Sequence, residues 1–191
     1  MEQEKIMEIF KKSNALLEGH FLLSSGLHSD IYFEKFQVLQ YPEYVELLCK
    51  GLAGLFEKDK IEVVVGPTTG GIIIAYEVAK NLKVRSIFAE LEGDKRVFKR
   101  GFDLKENQRV LIVDDIMTTG KSVREVIELV NSYKAKIVGI GVLLDRSGGK
   151  IKFDYPFKPL STVTAKTFKP EECPLCKEGK ILVKPGSRKI V

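Results

Sequence analysis

The chain has 191 residues, 31 of them Lys or Arg and 26 Asp or Glu, which leaves a net charge of +5 and a pI of about 9.0. No apolar run reaches the roughly 18–20 residues that span a bilayer. The charged start Met1-Glu2-Gln3-Glu4-Lys5 lacks the apolar stretch of a secretory leader, and three cysteines cannot build a disulfide framework. A reducing cytoplasm is therefore the expected compartment. The charge is uneven: residues 1–146 carry a net of −1 and residues 147–191 a net of +6. A chain basic only at one end lacks the broad basic face of a nucleic-acid binder, so neither nucleic acid nor membrane is expected as a partner.

The first third reads as helical. Ile6, Ile9 and Phe10 share one face of a short helix over 4–10, which Asn14 and Gly19 interrupt. His20 to Phe36 is rich in Ser, Gly and aromatics. Pro42 suits the first turn of a second helix, and Val45, Leu48, Leu52 and Leu55 continue at helical spacing to about residue 58. From Ile61 the pattern changes to a β-branched run, Ile61-Glu62-Val63-Val64-Val65. It ends in Gly66-Pro67-Thr68-Thr69-Gly70-Gly71 and is followed by an apolar helix over 72–82. Residues 85–91 read as the next strand, and 93–107 as a poor helix and a poor strand. Val110-Leu111-Ile112-Val113 is a buried strand that runs into Asp114-Asp115. A helix over 120–133 places Val123, Val126, Ile127 and Val130 at i, i+3, i+4 and i+7. Residues 136–144 form a third apolar run, closed by Asp145-Arg146.

Strands that are apolar throughout and alternate with amphipathic helices imply a parallel sheet covered on both faces. The expected class is α/β, with a mostly parallel central sheet flanked by helices over 61–146. An N-terminal hood segment, 1–60, precedes it. A basic extension, 147–191, follows and packs on the same domain. Ligands of such sheets bind at the carboxyl ends of the strands. Three loops with chemistry lie there: 66–71, 114–122 and 145–149.

Thr118-Thr119-Gly120-Lys121-Ser122 opens a helix, where unpaired N–H groups attract phosphate; the same hydroxyls would also serve as an ordinary helix cap. A P-loop needs glycine five residues before Gly120, and position 115 is Asp. Gly139 and Gly141 begin a dinucleotide fingerprint, but position 144 is Leu. Asp114 and Asp115 would repel phosphate, yet they accept hydrogen bonds from hydroxyls and hold hydrated divalent cations. A ligand that satisfies both features carries a phosphate and vicinal hydroxyls, as a ribose 5-phosphate does.

Val110-Leu111-Ile112-Val113-Asp114-Asp115-Ile116-Met117-Thr118-Thr119-Gly120-Lys121-Ser122 resembles the phosphoribosyl pyrophosphate (PRPP) motif of type I phosphoribosyltransferases. Gly66 to Gly71 resembles their pyrophosphate loop. Gly19 to Ser29 with Tyr32-Phe33, Leu144-Asp145-Arg146, Cys173-Pro174-Leu175-Cys176 and Lys184-Pro185-Gly186-Ser187-Arg188 resemble the orotate phosphoribosyltransferases, so the likeness covers nearly the whole chain.

The resemblance implies the type I phosphoribosyltransferase fold with a small N-terminal hood. It implies orotate and PRPP as substrates, orotidine 5′-monophosphate and pyrophosphate as products, Mg2+ as cofactor, and a homodimer with a loop shared across subunits. Asp114, Asp115, Ile116, Met117, Thr118, Thr119, Gly120, Lys121 and Ser122 would bind PRPP. Thr68, Thr69, Gly70 and Gly71 would receive pyrophosphate. Thr118, Arg146, Ser25 and Phe33 would contact orotate: a guanidinium matches its carboxylate, and Phe33 or Tyr32 could pack on its ring. Asp114 and Asp115 would hold the metal through water. Lys95, Arg96, Lys99 and Arg100, in a loop over 93–105 with local charge +3, would act from a mobile lid. In one departure, Ser24 stands where many relatives carry lysine.

Other readings share these residues. A phosphoribosyltransferase for another base, or a PRPP-sensing regulator, would keep the same motif. Cys173-x-x-Cys176 offers two of the four ligands that tetrahedral zinc needs. Cys49, His20 and His28 are distant in sequence, so the missing pair would have to come from folding or a second subunit. A redox dithiol and a plain turn around Pro174 are the alternatives.

Overall fold

In the computed structural model, which describes residues 1–23 and 25–185, the chain opens with α1 (Gln3–Lys12). β1 (Leu16–Leu22), β2 (His28–Phe33), α2 (Lys35–Leu39) and α3 (Pro42–Gly54) follow. The first third is thus not purely helical. β1 and β2 form an antiparallel hairpin, from Leu16 opposite Phe33 to Leu22 opposite His28. A register irregularity between Glu18 and Phe21 breaks the two-residue alternation by which a half-buried strand is read.

The central sheet is built next: β3 (Val63–Pro67), α4 (Gly70–Leu82), β4 (Arg85–Glu92), β5 (Lys95–Val97), β6 (Arg109–Met117), α5 (Lys121–Ser132), β7 (Lys136–Asp145) and β8 (Phe157–Thr162). The strand order is β5-β4-β3-β6-β7-β8, and every neighbouring pair is parallel except β4 with β5. Two expectations are corrected. The loop after β4 is a hairpin whose return strand is β5. The sheet also runs past residue 146, because the basic extension supplies its edge strand β8. Pro159 lies within β8, where an edge position tolerates the missing N–H.

Side chains of the central strands alternate between two cores. Val64, Leu111 and Val113 pack with α3 and α4, while Val63, Val65, Val110 and Ile112 pack with α5 residues Val123, Val126 and Val130. Full burial of such side chains contributes about 1.5–3 kcal/mol each, so this double coverage fixes the central strands most firmly. Gly139 and Gly141 sit under Phe56; a Cβ there would lie 2.6 and 2.9 Å from its ring. These glycines serve packing, which is why they open no nucleotide fingerprint.

The chain passes from β3 outward to β4 and then back across to β6. The loops after β3 and β6 therefore lie side by side, at the reversal point where open α/β sheets bind ligands. The hood closes around this point from the far end of the chain. β9 (Thr167–Phe168) pairs with β2. Val183 N–H donates to His20 O at 2.8 Å, and Leu22 N–H donates to Val183 O at 2.8 Å.

Candidate active site

β6 ends in Asp114 and Asp115, both buried. The following turn and the start of α5 enclose a hollow of about 170 Å³ lined by Asp114, Ile116, Met117, Thr118, Thr119, Gly120, Lys121, Ser122 and Val123. All nine residues expected from the sequence to hold PRPP belong to it or, in the case of Asp115, adjoin it. Gly120 has a φ of +75°, a left-handed conformation that glycine adopts without strain. Apart from a long contact of Lys121 N–H with Thr119 Oγ1 at 3.4 Å, no side chain caps α5, so its first turn enters the hollow with N–H groups of the kind that bind anions.

The β3 loop touches the acid pair directly. A Cβ on Gly70 would lie 1.8 Å from Asp115 Oδ2, and one on Gly71 would lie 3.3 Å from Asp114 Oδ1 and 2.6 Å from the Pro67 ring. The Thr68–Thr69 peptide is cis. The double glycine thus lets two loops approach over two carboxylates.

The carboxylates differ in their surroundings. Asp115 pairs with Lys35 at 3.1 Å and accepts from Ile116 N–H. Asp114 accepts from Asp115 N–H at 2.8 Å. Burial, and then the adjacent Asp115 charge, push Asp114 up to about 7. Ionised Asp114 is therefore a cost to the ligand-free fold. A folded-state value above the unfolded one favours folding at low pH, and that advantage is lost as pH rises from 3.8 to about 7. Asp114→Asn should accordingly raise Tm above neutral pH, by at least ~2–4 °C for a gain of about 1 kcal/mol. The gain over wild type should grow between 3.8 and about 7 and then level off. Melting curves of both proteins without ligands check it; equal Tm at all pH values would exclude the cost.

A second, larger pocket of about 540 Å³ shares Thr118 and Thr119 with the first and is completed by Leu22, Leu23, Ser25, Tyr32, Arg146 and Pro185. Arg146 follows β7. Its guanidinium stands 5.3 Å from the centre of the Phe33 ring, and burial lowers its pKa. Arg146 Nε is buried with no hydrogen-bond partner among the described residues. Asp145 shapes the turn that presents it, accepting from Ser147 N–H at 2.7 Å and Gly149 N–H at 3.1 Å.

The structure brings Ser25, Thr118 and Arg146 together as expected. Phe33 is a correction: it is buried, packs edge-on against Phe10 at 6.0 Å, and supports Arg146 from below. Tyr32, its neighbour with the opposite orientation on β2, lines the pocket instead. Ser24 and residues 186–188 lie outside the described residues. Sequence reading missed Lys35, which belongs to no motif and reaches Asp115 only through the fold. Pro185 carries no chemistry that marks it as a pocket residue, and only the fold brings it there.

The basic hairpin divides. Arg96 is nearly buried and donates to Thr68 Oγ1 at 2.7 Å and to Glu125 Oε2 at 3.1 Å. It pins the β3 loop to α5 and is not poised on a lid. Lys99 pairs with Glu92 at 2.9 Å and Arg100 with Glu90 at 2.9 Å, both on exposed side chains. Lys95 is exposed on β5.

A parallel sheet with two adjoining glycine-containing loops, an acid pair at their junction and a hood over the strand ends defines the type I phosphoribosyltransferase fold. The phosphoribosyl transferase domain family matches residues 37–174. The chain is 52% identical over 190 residues to the orotate phosphoribosyltransferase of Caldanaerobacter subterraneus subsp. tengcongensis, covering 100% of both chains. It is 51% identical over 189 residues to that of a Thermoanaerobacter species, covering 99% of this chain and 100% of the other. The crystal structure of orotate phosphoribosyltransferase from Aeropyrum pernix superposes with a TM-score of 0.72 at 27% identity, over 83% of this chain and 93% of that one. The chain belongs to the phosphoribosyl transferase domain family and, within it, to the orotate phosphoribosyltransferases.

Proposed function

We propose that the chain transfers the 5-phosphoribosyl group of PRPP to orotate, giving orotidine 5′-monophosphate and pyrophosphate in pyrimidine (UMP) biosynthesis. One observation carries this reading: the phosphate-type hollow and the Arg146 pocket meet at Thr118 and Thr119, beside the acid pair. A sugar phosphate and a flat acid in these two spaces would be joined across the shared threonines.

The bond from C1 of the ribose to pyrophosphate breaks as the bond to the base nitrogen forms; the electron pair of the old bond leaves with pyrophosphate, and the base nitrogen releases its proton. Positive charge builds on the ring and negative charge on the leaving group, so positioning and electrostatics carry the catalysis. The first turn of α5 holds the 5-phosphate. Asp114 and Asp115 accept from the ribose hydroxyls. Thr68, Thr69, Gly70 and Gly71 receive pyrophosphate on backbone N–H groups. Arg146 orients the orotate carboxylate, with Ser25 and Thr118 at the pocket wall.

The acid pair also suits Mg2+: burial and then the neighbouring Asp115 charge raise Asp114 to about 7, and a hydrated cation would offset both costs of ionising it. When bound, Mg2+ supplies charge neutralisation to the pyrophosphate oxygens. Asp114 and Asp115 would hold it through water.

Lys99 and Arg100 are paired with carboxylates of β4 and can exchange them for pyrophosphate when the hairpin closes, excluding water. Lys99→Ala or Arg100→Ala should lower kcat by about 10- to 1000-fold. Steady-state turnover checks this, and wild-type rates in both variants would remove the hairpin from the chemistry. Lys95 is the further candidate on this hairpin, while Arg96 acts by holding Thr68. Exposed Phe36, Leu47, Ile73 and Tyr76 on the neighbouring helices α2, α3 and α4 support a homodimer; in such a dimer the hairpin would be shared across subunits. No helix among the described residues is long and apolar enough to cross a membrane.

The decisive assay follows the loss of orotate absorbance with PRPP and Mg2+, beside parallel reactions with uracil, hypoxanthine and guanine. Turnover of orotate alone is expected. Turnover only with another base would reassign the specificity, and PRPP binding without turnover would indicate a sensor.

A further inference from the structure

Behind the Arg146 pocket, four side chains from distant parts of the chain converge. His20 comes from β1, His28 from β2, and Cys173 and Cys176 from the segment around the short helix α6 (Pro174–Lys177). One ligand atom from each lies within 4.8 Å of all the others. Cys176 Sγ stands 3.4 Å from His28 Nδ1 and 3.7 Å from His20 Nε2, and Cys173 Sγ stands 3.5 Å from His20 Nε2. His20 Nε2 and His28 Nδ1 are 2.8 Å apart.

These separations match one chemistry. Tetrahedral zinc, with bonds of about 2.3 Å to sulfur and 2.0–2.1 Å to nitrogen, sets nitrogen–sulfur edges of about 3.6 Å and a nitrogen–nitrogen edge of about 3.3 Å. The three sulfur–nitrogen contacts fall on that value; the two nitrogens need to part by only about 0.5 Å. Two thiolates and two neutral imidazoles around Zn2+ carry no net charge, which suits a site where His20, His28 and Cys173 are buried. The tautomer of His20 is also set correctly. Its Nδ1 lies 3.0 Å from Lys180 O, so Nδ1–H donates there and leaves Nε2 as the bare ligand nitrogen.

We propose that His20, His28, Cys173 and Cys176 form a structural Zn2+ site. Four protein ligands close the coordination sphere, leaving no position for a substrate. The metal clamps the segment after α6 onto the hood hairpin. That segment runs on to Val183, which pairs with β1, and to Pro185, which lines the larger pocket. The site therefore fastens one wall of the pocket without taking part in its chemistry. This inference does not depend on the reaction proposed above. Cys49 is buried in the main core, away from the cluster.

Metal analysis of the purified full chain is expected to find about one zinc per chain. Removing it with a strong chelator should lower Tm and open residues 177–185 to limited proteolysis, and added Zn2+ should restore both. Chain reloaded with Co2+ should show the intense visible bands of a tetrahedral ion and thiolate-to-metal charge transfer. Cys176→Ser, at the exposed corner of the cluster, should fold and lose the charge-transfer intensity from one thiolate; Cys173→Ser with Cys176→Ser should lose the metal. Three results would overturn the proposal: chain that neither carries zinc nor takes up Co2+, full zinc occupancy retained in the double variant, or a Cys173–Cys176 disulfide that persists in protein freshly purified under mildly reducing conditions.

Discussion

Asp115→Asn should lower kcat/KM for PRPP by about 100- to 1000-fold while leaving the fold intact. The amide keeps the shape of the carboxylate, so it still fills the space against Gly70, where no extra atom fits. It loses the charge that holds Lys35 at 3.1 Å. It also loses a charged acceptor for a sugar hydroxyl, worth about 1.5–3 kcal/mol, and half of the charge that attracts a divalent cation. Transition-state contacts of this kind cost about 100- to 1000-fold when a single one is removed. Asp115 accepts from Ile116 N–H, which an amide oxygen also does, and the lost Lys35 pair is offset by relief of Asp114 from the adjacent charge, so Tm should change little. Kinetics with PRPP varied at several fixed Mg2+ concentrations, beside a melting curve, separate the two effects. An unchanged kcat/KM would sink the role given to Asp115.

The second large effect belongs to Arg146. Arg146→Ala should raise KM for orotate by about 30- to 1000-fold, the range for truncating one member of a desolvated charge pair at about 2–4 kcal/mol. KM for PRPP should move far less, because Arg146 lines only the larger pocket. Arg146→Lys should rescue only part of the loss, since an ammonium cannot reproduce the planar two-point contact of a guanidinium. Stability should not fall in proportion to affinity: Arg146 Nε is buried without a partner among the described residues, so the ligand-free fold gains little from it. A KM for orotate within about twofold of wild type would remove the carboxylate from Arg146.

Much of this site was legible because its residues follow one another in the chain. Asp114 to Ser122 form one strand end, one turn and one helix start, and local order alone brings them together. Thr68 to Gly71 could be placed beside them once the parallel sheet was recognised. What the sequence hid depends on contacts across the fold. The β1 irregularity concealed a hairpin. Phe33 and Tyr32 are adjacent and both aromatic, and only the strand register decides which faces the pocket. Arg96 looked like its basic neighbours until its partners, Thr68 and Glu125, were visible. The Cys173-x-x-Cys176 segment offers only half a metal site on its own, because its two histidine neighbours lie about 150 positions away.

That last separation governs how the protein comes into being. The strands from β3 to β7 and the loops after them are complete once residue 149 has been made, so a PRPP-type hollow can form on a nascent chain. The wall of the larger pocket cannot. Tyr32 and Leu22 must wait for Val183 and Pro185, roughly 150 residues later and on the order of ten seconds or more at ordinary rates of synthesis. Until then, β1 presents an open edge with unpaired N–H and C=O groups where the returning segment will dock. Each new molecule thus passes through an interval with half a site and one sticky strand, and ends it only when the far end of the chain arrives.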